Sequence, residues 1–186
     1  MSSINLTMPR KVLAGLFCLT LFVAQPVATA AVIETGFSPE GSALPLVLKT
    51  ITTAQKEVRV MGYSFTSPEV VRALINARKR GVDVRVVLDH KANAGKQNKA
   101  SRAAMNLLVG AGIPVRTVSA FKILHDKVIV ADRLNTQLGS YNYSRAAEKS
   151  NSENVLVVWD DSVVAQRYLQ HWTSRWDIGK EWCSSY

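Results

Sequence analysis

Apolar positions along this chain switch between two periods, 3.6 and 2, and the switches mark its elements. Leu44, Val47, Leu48 and Ile51 recur at helical spacing and predict a helix over residues 42–56, followed by a strand over 58–63. Ser67-Pro68-Glu69 is a helix start, with proline in the first turn where its missing N–H is not needed. Gly81 stops that helix after Arg80. Residues 82–88 form a β-branched run typical of a strand buried on both faces. A polar loop over 89–95 leads to a helix over 98–111, ended by Gly112, and to a strand over 113–118. Residues 124–131, 136–140 and 154–159 read as strands, the first two joined as a hairpin through Asp132-Arg133-Leu134-Asn135. A helix over 161–176 completes the pattern, and no repeat, low-complexity segment or inter-domain linker interrupts it. This order predicts one α/β/α domain, a mixed β-sheet flanked by helices.

The first thirty residues stand outside that pattern. Arg10 and Lys11 precede an apolar run from Val12 to Ala24, Gln25-Pro26 breaks it, and Ala28-Thr29-Ala30 has the small-residue spacing of a cleavage site. The run is short for about 30 Å of hydrocarbon. Residues 1–30 are therefore expected to be a cleaved signal peptide rather than an anchor. Residues 31–186 are expected to form an exported domain, periplasmic or secreted, without stable membrane insertion. Removing Arg10 and Lys11 from the 23 basic residues leaves 21 against 14 acidic ones, a mature charge of +7 that suits a polyanionic partner. Cys18 falls in the signal, which leaves Cys183 no internal disulfide partner. No Cys/His cluster or EF-hand loop calls for a metal, and no motif calls for a cofactor.

The candidate chemistry starts at His125 and Lys127. Residues two apart on a strand point to the same face, so the imidazole and the ammonium are expected side by side, with Val128 and Val130 turned to the core. A buried ammonium is costly without an anion. At a cleft the same pair suits phosphate, the lysine neutralising oxygens while the histidine attacks phosphorus or moves a proton. An edge strand carrying two ordinary polar residues accounts for the pair equally well. Asp132 and Gly139-Ser140-Tyr141-Asn142 complete the spacing H-x-K-x4-D-x6-G-S-x-N, which chance does not readily supply.

This spacing resembles the signature of the phospholipase D superfamily, the HKD phosphodiesterases, and within it the short exported bacterial endonucleases that carry one motif per chain. The resemblance implies a phospholipase D-like fold and a catalytic set of His125, Lys127 and Asp132. It implies His125 as nucleophile, giving a phosphohistidine that water resolves, or as general acid. Lys127 and Asn142 would hold non-bridging oxygens with Ser140 nearby, and Glu153 would accept a hydrogen bond from a histidine ring and fix its tautomer. Asp132 has the opposite strand parity to His125 and Lys127, so it reads as a structural acceptor near a turn rather than a group touching phosphate.

Two-step transfer needs two histidines in different protonation states. His171 lies beside Trp172 on the last helix and reads as a surface or core residue. His90 follows a strand end, the edge where α/β sheets often bind ligands, but lacks the H-x-K spacing. A second copy of His125 is the simplest partner, so a homodimer with one composite active site is expected.

The basic residues Arg78-Lys79-Arg80, Lys91, Lys96, Lys99, Arg102 and Lys122 favour DNA as substrate, with RNA a second candidate. Phe121, Tyr141 and Tyr143 flank the motif and either stack on bases or pack in the core. No base-reading motif is present, so little sequence specificity is expected. Two readings compete. A phospholipase D-type lipid phosphodiesterase usually has two motifs and apolar lipid-binding segments. A phosphate-binding module without catalysis fits poorly with intact His125, Lys127, Asn142 and Glu153.

Overall fold

In the computed structural model, which describes residues 31–184, the alternating pattern becomes β1 (Val32–Ser38), α1 (Ala43–Thr52), β2 (Glu57–Gly62), α2 (Pro68–Lys79), β3 (Asp83–Asp89), α3 (His90–Ala94), α4 (Lys99–Gly110), β4 (Val115–Val118), β5 (Lys127–Ala131), β6 (Asn135–Gly139), α5 (Arg145–Lys149), β7 (Glu153–Trp159), α6 (Ser162–Ile178) and β8 (Lys180–Glu181). The strands form one mixed sheet in the order β1-β7-β6-β5-β2-β3-β4-β8. β2, β3 and β4 run parallel, and the remaining neighbours are antiparallel. The expected signal segment, residues 1–30, lies outside the described residues.

Helices cover both faces of the sheet. Leu46, Val47 and Ile51 of α1, Val70 and Leu74 of α2, and Met105 and Leu108 of α4 pack with Ile129 and Ala131 of β5. Ala165, Leu169 and Trp172 of α6 pack with Val128 and Val130 of the same strand. Both faces of β5 are therefore apolar, which is why its sequence is a continuous β-branched run rather than an alternation. The Ser67 hydroxyl accepts the Val70 N–H at the start of α2, with Pro68 at the first turn as the sequence predicts.

The departures from the sequence pattern are local and have causes. Residues 124–126 were expected to extend β5, but the strand begins only at Lys127. The Asp89 carboxylate accepts the Leu124 N–H at 2.8 Å, and Asp126 lies 3.2 Å from His171 Nε2 on α6. These contacts draw the segment off the ladder. The polar loop over 89–95 contains α3, capped by Asp89, which accepts the Ala92 N–H at 2.7 Å. Edge strand β1 carries a mid-strand glycine, a residue that weakens the strand signal. Gly36 is required there, because a Cβ would come within 2.6 Å of the Ser42 carbonyl oxygen.

The β5–β6 hairpin forms as expected, with Asp132 and Arg133 at φ 55° and 60°, the left-handed geometry that tight hairpins need. The Asp132 carboxylate accepts three backbone N–H groups, from Gln55 at 2.8 Å, Lys56 at 2.7 Å and Glu57 at 2.9 Å. It fastens the α1–β2 loop to the hairpin. Asp132→Ala would leave these donors without their charged acceptor and is expected to cost about 2–3 kcal/mol. Urea unfolding measures that loss, and kcat on a phosphodiester is expected to stay within about twofold at temperatures where the variant is folded. A kcat loss beyond tenfold in folded protein would place Asp132 in the chemistry.

Candidate active site

The site forms at one edge of the sheet, where β2 and β3 end, β5 begins, β6 ends and β7 begins. Register explains the convergence: Lys127 pairs with Gly62 at the end of β2, and Gly139 pairs with Val155 near the start of β7. This is the carboxyl edge of the parallel strands, where open α/β sheets take their ligands. His125, Lys127, Gly139, Ser140, Asn142 and Glu153 line a cleft of about 340 Å³ there.

His125 is exposed in the loop ahead of β5. The Tyr63 ring, on the residue after β2, lies 5.0 Å from the imidazole, centroid to centroid, tilted by 59°. No side-chain hydrogen bond reaches the imidazole among the described residues, so both ring nitrogens are available for chemistry. Lys127 is only 5% exposed. Its ammonium donates to the His125 carbonyl oxygen at 2.7 Å and lies 5.4 Å from the Tyr63 centroid. It makes no ion pair within 4 Å among the described residues. Burial holds Lys127 below the ordinary lysine range, while the charges of Glu153 and Asp126 act in the opposite direction. An ammonium so placed gains by meeting a phosphate.

Asn142 reaches the cleft from the turn after β6, and its side-chain oxygen is buried without a hydrogen-bond partner. Buried polar groups are rarely left unpaired; the orphaned oxygen is an acceptor, and the amide nitrogen of the same side chain, which makes no hydrogen bond among the described residues, is the atom that can donate to a phosphate oxygen. Ser140 differs. Its hydroxyl donates to Glu153 at 2.6 Å and accepts the Asn154 N–H at 3.0 Å. The phosphate-binding role expected for Ser140 does not fit this arrangement, because its one proton is committed to Glu153. It orients the carboxylate instead, with Asn151 donating to the second oxygen at 2.9 Å. Gly139 makes the approach possible: at φ 145°, a Cβ there would collide with the Asn154 carbonyl oxygen. The contact expected between Glu153 and a histidine is not made within one chain.

The structure also sorts the remaining sequence candidates. Asp132, grouped with the catalytic residues by its place in the motif, lies at the opposite end of β5, five residues and about 16 Å from Lys127. Its parity already pointed away from phosphate. His90 is exposed and bonds Thr117 through Nδ1 at 3.0 Å, and His171 is paired with Asp126; neither lines the cleft. Tyr141 and Tyr143 are fully buried, their hydroxyls donating to Glu148 at 3.1 Å and Gln137 at 2.9 Å. Both are core residues. Sequence reasoning missed Tyr63, whose only signal was its place at the end of a predicted strand, and Asp126, whose pairing with α6 no spacing reveals.

Residues 47–176 match the family described as cardiolipin synthase, PLD-like domain. Nuc, a phospholipase D family member from Salmonella typhimurium, has a solved structure that superposes with a TM-score of 0.80 at 46% identity, covering 83% of this chain and all of that one. A protein named phospholipase D from Rickettsia felis is 34% identical over 143 residues, 77% of this chain and 68% of its own length. Human mitochondrial cardiolipin hydrolase is 33% identical over 142 residues, 75% of this chain and 53% of its own length.

Proposed function

Because the chain belongs to the phospholipase D superfamily and is a phosphodiesterase of it, we propose that it is an exported, metal-independent and largely nonspecific endonuclease acting on DNA, with RNA a second substrate. The observation that carries phosphodiester chemistry is the buried Lys127 ammonium without an ion-pair partner, set beside an imidazole free of hydrogen bonds and an unpaired Asn142 amide. Two features favour nucleic acid over lipid. The mature charge is +7, and among the described residues each one lining the cleft is polar or glycine, a poor surface for an acyl tail.

In this reading the His125 imidazole attacks phosphorus, forming a P–N bond as the P–O bond to the leaving alkoxide breaks. A second imidazolium gives that alkoxide its proton. Water then attacks phosphorus and gives a proton to the second imidazole, which becomes imidazolium again, while the P–N bond breaks, releasing the phosphate monoester and restoring the His125 imidazole. Lys127 and Asn142 hold the non-bridging oxygens, where charge builds in the transition state. The Lys127 charge does there what a Lewis acid would otherwise do, which is the basis for expecting turnover without metal. The second imidazole is assigned to His125 of another copy, because His90 and His171 are engaged elsewhere. The enzyme is thus proposed to be a homodimer with one composite site. Glu153, unbonded to histidine within the chain, is in this scheme available to the imidazole of the second copy. Export rests on the sequence of residues 1–30 alone.

A lipid phosphodiesterase is the second reading, favoured by the names of the Rickettsia and human relatives. One assay separates the two. Plasmid DNA is incubated with the protein in excess EDTA, beside cardiolipin and phosphatidylcholine vesicles and a His125→Ala control. DNA cleavage that persists in EDTA and vanishes in the variant is expected. Loss of cleavage in EDTA would overturn the metal-free mechanism, and turnover of lipid alone would overturn the nuclease.

A further inference from the structure

Of the three aromatic residues that flank the motif, the fold buries Tyr141 and Tyr143 completely and leaves Phe121 42% exposed. Its ring is not bare. The Arg175 guanidinium of α6 lies 4.8 Å from the ring centroid, and no carboxylate pairs with Arg175 or with the neighbouring exposed Lys122 among the described residues. One turn earlier on the same helix, His171 meets Asp126, the neighbour of His125. Residues four apart share one helix face and stand about 6 Å apart along the axis. The Phe121 ring and the catalytic segment are therefore fastened side by side to α6.

We propose that Phe121, backed by Arg175, is a base-stacking platform, on which a nucleobase near the scissile phosphate lies against the exposed part of the ring; this rests on the nuclease reading. An aromatic face accepts any base, so the platform orients a strand without selecting sequence. The unpaired charges of Arg175 and Lys122 attract the adjoining phosphates. The exposed Ile123, 45% accessible, gives the same loop an apolar side that a membrane-inserting tip would also show. A fixed guanidinium on the ring opposes that use, because a charge carried into hydrocarbon is costly.

The test measures binding to a single-stranded thymidine oligonucleotide and to an abasic strand of equal length. Full-length protein carrying His125→Ala is used, so that the strands stay intact. Adding Phe121→Ala is expected to weaken binding of the thymidine strand about tenfold, ~1.4 kcal/mol, within the range of one base stack. Binding of the abasic strand should not change. Phe121→Trp should retain affinity, with indole emission quenched when the thymidine strand binds and not the abasic one. Equal loss on both strands, or loss on neither, would overturn the platform while leaving the nuclease reading intact. Loss of binding to phosphatidylglycerol vesicles, with oligonucleotide binding unchanged, would overturn it in favour of a membrane tip. If the native protein bound neither strand and cleaved only lipid, the platform and the nuclease reading would fall together.

Discussion

Replacing His125 with alanine is expected to lower phosphodiester hydrolysis by about 10^5-fold or more, ~7 kcal/mol of transition-state stabilisation. The covalent route disappears with the nucleophile, and the residual rate comes from Lys127 and Asn142 holding the phosphate. Stability should change by less than about 0.5 kcal/mol, as for other exposed substitutions, because the imidazole is exposed, with the Tyr63 ring beside it. A catalytic histidine is thus distinguished from a structural one by unchanged unfolding with lost turnover. The proposed composite site adds a sharper expectation. When native chains are mixed with tagged His125→Asn chains, the purified heterodimer has one attacking imidazole but no second imidazole to protonate the leaving oxygen. Its activity should fall far below half. A heterodimer that kept half of normal activity would show that each chain holds a complete site.

Lys127→Met is expected to separate activity from stability in opposite directions. kcat/KM should fall about 10^2- to 10^3-fold, the scale for one donor that stabilises developing negative charge. Stability at pH 7 without added anion should hold or rise by about 1 kcal/mol, because a buried ammonium lacking an ion-pair partner is replaced by an apolar chain of similar length. The sign follows from linkage. Burial lowers the folded-state pKa of Lys127 below the ordinary lysine value of 10.5, so between the two the unfolded chain binds more protons. Stability of the native protein therefore rises as pH climbs through that window, and the methionine variant lacks this increment. Inorganic phosphate should raise the unfolding midpoint of the native protein and not of the variant, since a ligand stabilises the state that binds it. Urea titrations at neutral and alkaline pH, with and without phosphate, measure all of this. A variant less stable than the native protein in phosphate-free buffer at pH 7 would make Lys127 a structural residue.

Much of the fold was legible because its signals are local. A Ser-Pro start and a glycine stop bound α2, a β-branched run is β3, and polar turn residues between two short strands make the β5–β6 hairpin. The spacing from His125 to Asn142 was legible for a similar reason: one hairpin and one turn bring His125 and Lys127 to the same sheet edge as Gly139, Ser140 and Asn142, with Asp132 left at the far end of the hairpin. Strand parity alone also separated Asp132 from Lys127. The harder distinctions depended on residues far away in the chain. Whether Lys127 is buried depends on the neighbouring strand β2 and on Tyr63. The hydroxyl of Ser140 is committed only because β7 brings Glu153 against it. Tyr141 and Tyr143 are core and Phe121 is surface because of the elements packed around them, which a count of flanking aromatics does not contain.

His125 and Lys127 illustrate the division. By itself, the sequence determined that an imidazole and an ammonium lie two residues apart, at the head of a strand, within a spacing shared by a superfamily of phosphodiesterases. Covalent connectivity and strand period suffice for that. Only the tertiary structure decided that the two are not equivalent neighbours on a ladder. Asp89 and His171, held by β3 and α6, draw residues 124–126 away from the sheet, so the imidazole stands exposed while the ammonium remains buried beneath it. The physical reason is that exposure and charge compensation are properties of what packs around a group, and the two contacts that move this segment span 35 and 45 residues of chain.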